Sequence, residues 1–193
     1  MIKAVLFDFG GVVVSEGWES WQKKYIDFSQ ASKKEIQKMD VKIDVEDITL
    51  EEYYQFLSNI SGEKPELIEK EIIQEYMLNN QTYQLIMLLR KKGIKTGIIS
   101  NFPKQWFYKL FEKFQLKSVF DTVIVSSDIR VVKPDSKIFQ EALTRLKLEA
   151  NEVVFTDDRT EMAAAASKLG LHGIVFISAE QLKKDLLTLG VQL

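Results

Sequence analysis

The chain has 193 residues, is 46% hydrophobic and 28% charged, and carries a formal net charge of −2 with no cysteine. That length buries one sizeable core, enough for an α/β domain with an insertion. The balanced charge gives no electrostatic case for a nucleic-acid partner, and the absence of cysteine excludes disulfides and thiolate metal sites. No apolar run approaches the roughly 18 residues that cross a bilayer. The N-terminus enters an apolar strand almost at once, so the sequence predicts no signal peptide, no membrane partner and a cytoplasmic location. Lysine outnumbers arginine 22 to 4 and the first arginine is Arg90, which excludes any mechanism that needs an arginine before it.

The first element is the run Ala4-Val5-Leu6-Phe7, which reads as a buried parallel strand delivering Asp8 onto a turn softened by Gly10 and Gly11. Residues 15–81 then change character. Trp18, Trp21, Tyr25 and Phe28 recur at helical spacing, and Ser32 with Glu35 and Thr49 with Glu52 have the form of capping boxes. This block is expected to be all-helical. Beyond it, helices over 81–92, 104–114, 136–147, 160–169 and 179–188 alternate with strands over 94–100, 123–126, 153–156 and 173–176. Alternation of this kind predicts an α/β fold, a doubly wound parallel sheet. The expected organisation is a core of residues 1–14 and 82–193 with a small helical cap of residues 15–81 inserted after the first strand.

Ligands of such sheets bind beyond the carboxyl ends of the strands. The residues expected there are Asp8, the pair Ser100-Asn101, Lys133 before Pro134, and the pair Asp157-Asp158. Each has a plainer reading by itself: a turn aspartate, a loop pair, a solvated lysine, a helix N-cap. Their order along one sheet edge favours a common site. The lone histidine, His172, is expected at the opposite end of the sheet. The aromatic residues 18, 21, 25 and 28 are expected to pack the helical block, with Phe9, Phe102 and Trp106 nearer the site entrance.

Phe7-Asp8-Phe9-Gly10-Gly11-Val12, Ile98-Ile99-Ser100-Asn101, Lys133-Pro134-Asp135 with Ile138-Phe139, and Val154-Phe155-Thr156-Asp157-Asp158 together resemble the four motifs of the haloacid dehalogenase superfamily of hydrolases. The resemblance spans the chain. It is closest to the branch with a helical cap after the first motif, which includes the phosphatase domain of soluble epoxide hydrolases and bacterial sugar-1-phosphate phosphatases.

The resemblance implies a Mg²⁺-dependent phosphatase of small phosphomonoesters, sugar phosphates among them, working through an aspartyl-phosphate. Charge arithmetic agrees, because a phosphate dianion approaches clustered carboxylates only when a cation intervenes. Asp8 is then nucleophile and metal ligand, Asp158 and the Gly10 carbonyl are further ligands, and Asp157 orients the metal shell. Lys133 holds Asp8 and the transferring phosphoryl. Ser100, Asn101 and the backbone N–H groups after Asp8, that of Gly11 included, bind phosphoryl oxygens.

Two positions depart from the family pattern. Gly10 stands where most of its phosphatases carry the aspartate that protonates the leaving group, and Met162 stands where a polar residue commonly supports the metal. The first departure predicts a preference for acidic leaving groups. Two other readings stay open: a 2-haloacid dehalogenase, which needs no acid at position 10 but uses an arginine from the capped segment, and a non-catalytic binding or regulatory protein. A monomer or homodimer is expected.

Overall fold

The computed structural model describes all 193 residues. Strand β1 (Ala4–Phe7) leads into four helices, α1 (Gly17–Tyr25), α2 (Lys33–Asp44), α3 (Leu50–Ser61) and α4 (Pro65–Glu75). Then follow α5 (Asn80–Lys91), β2 (Lys95–Ser100), α6 (Lys104–Lys113), β3 (Thr122–Val125), α7 (Ser126–Ile129), α8 (Ser136–Leu146), β4 (Val153–Asp157), α9 (Thr160–Lys168), β5 (His172–Val175) and α10 (Ala179–Thr188). The five strands form one parallel sheet in the order β3-β2-β1-β4-β5. The strand order reverses beside β1, so the crevice at the switch point opens at the carboxyl ends of β1 and β4.

Strand periodicity decides what each face of the sheet packs against. Val5 and Phe7 of β1 point into an apolar cluster of 34 buried residues, and Ala4 and Leu6 into a second cluster of 13 on the other face. The same alternation places Val154 in the first cluster and Val153 and Phe155 in the second. The larger cluster runs without interruption from the sheet into the helical block, taking in Trp21, Ile36, Ile43, Tyr53, Leu57, Ile68 and Ile72. Residues 15–81 therefore share one apolar core with the sheet.

The helix starts follow their caps. Thr49 and Glu52 form a reciprocal capping box, Ser32 accepts from the Glu35 N–H, and Asn79 accepts from the Thr82 N–H. The aromatic stripe is shorter than its spacing suggested: Trp18, Trp21 and Tyr25 lie on α1, whereas Phe28 falls in the turn beyond it. The segment after β3 begins with the single-turn helix α7. His172 opens β5 at the amino end of the sheet, where its Nε2 lies 3.1 Å from the Asn151 carbonyl oxygen.

Candidate active site

The registers that pair Phe7 with Ile98 and with Thr156 bring Asp8, Asp157 and Ser100 to one edge. The Asp8 N–H continues the ladder by donating to the Thr156 carbonyl at 2.9 Å, so the backbone of residue 8 is fixed by the sheet. Its carboxylate Oδ1 accepts from the Phe9 N–H at 2.6 Å and lies 2.9 Å from Lys133 Nζ. The same ammonium is 2.6 Å from Asp157 Oδ2. Only 1% of the Lys133 side chain is exposed. Burial of an ammonium in this way is sustained by paired carboxylates.

Lys133 is also held from behind. Asn101 Oδ1 accepts from its N–H at 2.7 Å and Asn101 Nδ2 donates to its carbonyl at 3.0 Å. The side-chain amide expected to bind phosphoryl oxygens thus holds the Lys133 backbone through its oxygen and one of its two N–H donors. Asp157 uses its second oxygen, Oδ1, to accept from the Arg159 N–H at 3.0 Å. That bond forms an Asx-type turn into α9, whose N-cap residue Arg159 makes no side-chain capping bond. Ser100 differs from both. Its hydroxyl is buried, has no hydrogen-bond partner and borders the site cavity. An unpaired buried hydroxyl costs about 1–3 kcal/mol, and an oxyanion placed against it removes that cost.

Carboxylate oxygens of Asp8, Asp157 and Asp158 all lie within 4.8 Å of one another. Such a set of hard oxygen donors suits Mg²⁺, which takes one or two carboxylates and keeps several waters. The turn that carries them is tight: Gly11 has φ of +72°, and a Cβ there would stand 2.5 Å from Asp158 Oδ2 and 2.5 Å from Glu16 Oε1. Only glycine fits the conformation and the space. Met162 is buried in the smaller apolar cluster and also borders the cavity.

Glu16, just before α1, escaped the sequence reading. A Cβ on Gly10 would lie 3.2 Å from its Oε1, so its carboxylate stands against the space left by the missing side chain at position 10. Its one sequence signal is an acidic residue at the entry to the helical block. Burial, then the charges of Asp158 and Asp8, pushes its pKa up to about 7. Burial also raises the Asp8 carboxyl to about 7, against the lowering effect of Lys133. These carboxylates share one low-dielectric corner with few cations.

Above this corner opens a cavity of about 830 Å³. The strand ends supply one wall through Asp8, Ser100, Lys133 and Asp158; the helical block supplies another through Trp18, Asp40, Asp44 and Tyr53. Trp106 and Phe102, expected near the entrance, line it too, whereas Trp21 is fully buried beneath. No helix is long and apolar enough to cross a membrane.

A doubly wound parallel sheet that gathers carboxylates and a buried lysine at its switch point has the edge at which open α/β sheets bind their ligands. Residues 5–176 match the model of the haloacid dehalogenase-like hydrolase family, and the chain belongs to that family. It is 26% identical over 205 residues to acyl-CoA dehydrogenase family member 10 of Mus musculus, covering 95% of this chain and 19% of that protein. It is 26% identical over 124 residues to flavin mononucleotide hydrolase 1 of Arabidopsis thaliana, covering 62% and 50% of the two. The chain thus spans half or less of the length of both relatives. A family enzyme of Bacteroides thetaiotaomicron, solved with magnesium and inorganic phosphate, has the same fold: TM-score 0.73 at 18% identity over 94% of this chain and 99% of that one.

Proposed function

We propose that the protein is a Mg²⁺-dependent phosphatase of small phosphomonoesters that works through an aspartyl-phosphate on Asp8, with residues 15–81 acting as the cap over the site. The observation that carries this reading is the bridging of Asp8 and Asp157 by one buried ammonium, Lys133, beside an unpartnered Ser100 hydroxyl. Asp8, Asp158 and the Gly10 carbonyl would hold the metal. When bound, Mg²⁺ supplies the positive charge that lets a phosphate dianion approach these carboxylates.

An Asp8 oxygen attacks phosphorus in line with the ester oxygen, forming the acyl-phosphate bond as the P–O ester bond breaks. Lys133 neutralises charge on Asp8 and on the transferring group, and Asp157 and Asn101 keep its ammonium in place. The Ser100 hydroxyl and the N–H of Gly11 bind phosphoryl oxygens. Water then attacks the phosphorus of the intermediate, releasing inorganic phosphate and the free Asp8 carboxylate. No acid extends from position 10, so departure of the ester oxygen is easiest when it is already acidic.

The test is turnover of p-nitrophenyl phosphate with Mg²⁺ and with a chelator, beside saturable trapping of beryllofluoride in wild type and in Asp8→Asn. Metal-dependent turnover and trapping that Asp8→Asn abolishes support the proposal. Trapping without turnover of any ester points instead to a binding protein, and metal-independent release of halide from 2-chloropropionate points to a dehalogenase.

A further inference from the structure

The ladder between β2 and β3 ends where Ser100 pairs with Val125, because the chain turns at Ser126 into α7. Phe102, two residues past the end of β2, stays buried without a main-chain neighbour, so its backbone polar groups need other partners. Two consecutive hydroxyls supply them. Ser126 Oγ accepts from the Phe102 N–H at 3.0 Å, and Ser127 Oγ donates to the Phe102 carbonyl at 2.9 Å. Both serines are buried, 0% and 1% exposed. The Phe102 ring is held as well, meeting Phe9, the residue after Asp8, edge-on at 5.5 Å and Tyr76 at 5.7 Å. Asn101, the residue before Phe102, holds the Lys133 backbone through two bonds. A continuous path thus runs from α7 through Phe102 and Asn101 to the ammonium that bridges Asp8 and Asp157.

We infer that Ser126 and Ser127 are positioning residues for the site: by holding the backbone of Phe102 they orient Asn101, and through Asn101 they set where Lys133 stands against Asp8. The inference rests on the phosphatase reading for its kinetic test and deepens that reading. The Phe102 N–H belongs to the rigid peptide unit that also contains the Cα of Asn101. Anchoring that N–H on Ser126 fixes the plane, and the Asn101 side chain leaves the chain from an atom of the plane. Its reach to Lys133, 32 residues on, follows from this orientation. Freed from α7, the plane can rotate, and Asn101 loses the alignment that its two bonds require. A misplaced ammonium then neutralises the transferring group less well.

Ser126→Ala and Ser127→Ala remove the two bonds one at a time. In each, kcat on p-nitrophenyl phosphate with Mg²⁺ is expected to fall about tenfold with KM within about twofold of wild type, because Lys133 acts on charge that moves during the reaction. Asn101→Ala should show the same pattern, and adding Ser126→Ala to it should change kcat by less than about twofold, since the path is already cut. Losses that multiply instead overturn the inference, as does a lowered thermal midpoint with unchanged kcat, which assigns the serines to loop closure alone. A second readout needs no turnover: site-resolved amide hydrogen exchange of the metal-free protein. Relative to the β1 amides, the Lys133 N–H should exchange at least about fivefold faster in both serine variants and in Asn101→Ala. Faster exchange confined to Phe102 overturns the inference whether or not any ester is turned over. Wild type that turns over no ester, with the Lys133 effect present, counts against the phosphatase reading and leaves the positioning path supported. Should either alanine variant fail to fold, Ser126→Cys or Ser127→Cys, which nearly keeps the volume and only a weak hydrogen bond, takes its place in both measurements.

Discussion

The two walls of the cavity are built on different principles. At the sheet edge nearly every polar group is fixed by backbone register: Asp8 by its ladder bond to Thr156, Lys133 by the Asn101 clamp, Asp157 by Lys133 and the Arg159 N–H. On the α2 side the carboxylates are fixed by side-chain packing, with Asp40 held by an indole and a phenol and Asp44 held by none. The sheet edge is thus held rigidly in place. The helical wall is a surface whose chemistry changes with a few side chains, and under the proposed function it is where selectivity is expected.

Asp8→Asn gives the largest expected effect on function and separates the walls most sharply. Loss of the nucleophile should lower kcat on p-nitrophenyl phosphate by about 10³-fold or more. Because the mutation also removes a charge from a crowded corner, the thermal midpoint at pH 8 without metal should not fall. Lys133→Ala should have the opposite balance between folding and chemistry. It leaves Asp157 buried with no counter-charge, and the cost is about 3–5 kcal/mol, or roughly 10 °C in Tm for a chain of this size. A Lys133→Ala variant with an unchanged midpoint would show that the sheet edge is less preorganised than its geometry states.

The same division explains what the sequence revealed. Asp8, Ser100, Asp157 and Asp158 were legible because strand ends are legible: an apolar run that stops at a polar residue marks a position on a known edge, whereas Lys133, in the loop beyond β3 and α7, stood out only by its place in the motif order. The five strands and the helices between them followed from periodicity, with ends shifted by a residue or two. Glu16, Asp40 and Asp44 were not legible. Glu16 joins the site only through the fold of the segment after Gly11, and Asp40 and Asp44 read as one face of a charged helix until packing turns that face inward. Asn101 was legible as a site residue, but its clamp on Lys133 was not, since that backbone lies 32 residues away.

Where the walls meet, Gly10 and Glu16 offer a finer test. Gly10→Asp looks like restoration of the acid found in related phosphatases, yet its Cβ would enter 3.2 Å from Glu16 Oε1. A carboxylate carried on that Cβ stands beside that of Glu16 and the two repel, so the single variant should gain little on alkyl phosphates. Gly10→Asp with Glu16→Gln removes the conflict and should raise kcat on an alkyl phosphate by up to about 10²-fold, with a much smaller change on p-nitrophenyl phosphate, whose leaving group needs no proton. An equal gain on both esters would mean that protonation of the leaving group is not what the wild-type site lacks.

The smallest effect expected is on stability, and it isolates Glu16 from chemistry altogether. Its pKa rises from 4.5 in the unfolded chain to about 7 in the fold because burial and the neighbouring Asp158 and Asp8 disfavour its charge. The native state therefore binds the proton more tightly than the unfolded state across that interval, and stability falls as pH rises from about 4.5 to 7. Below the window both states are protonated and Glu16 contributes nothing; above it both are ionised and the full penalty, on the order of 1–3 kcal/mol, is present. Glu16→Gln should then raise the thermal midpoint of the metal-free protein by several degrees at pH 8 and leave it near the wild-type value at pH 4.5. A divalent cation bound to Asp8 and Asp158 shields Glu16 from their charges, so part of the gain at pH 8 should disappear when Mg²⁺ is added. A gain of equal size at both pH values would instead trace the effect to the neutral amide's own contacts, and the carboxylate at the meeting of the two walls would carry no electrostatic strain.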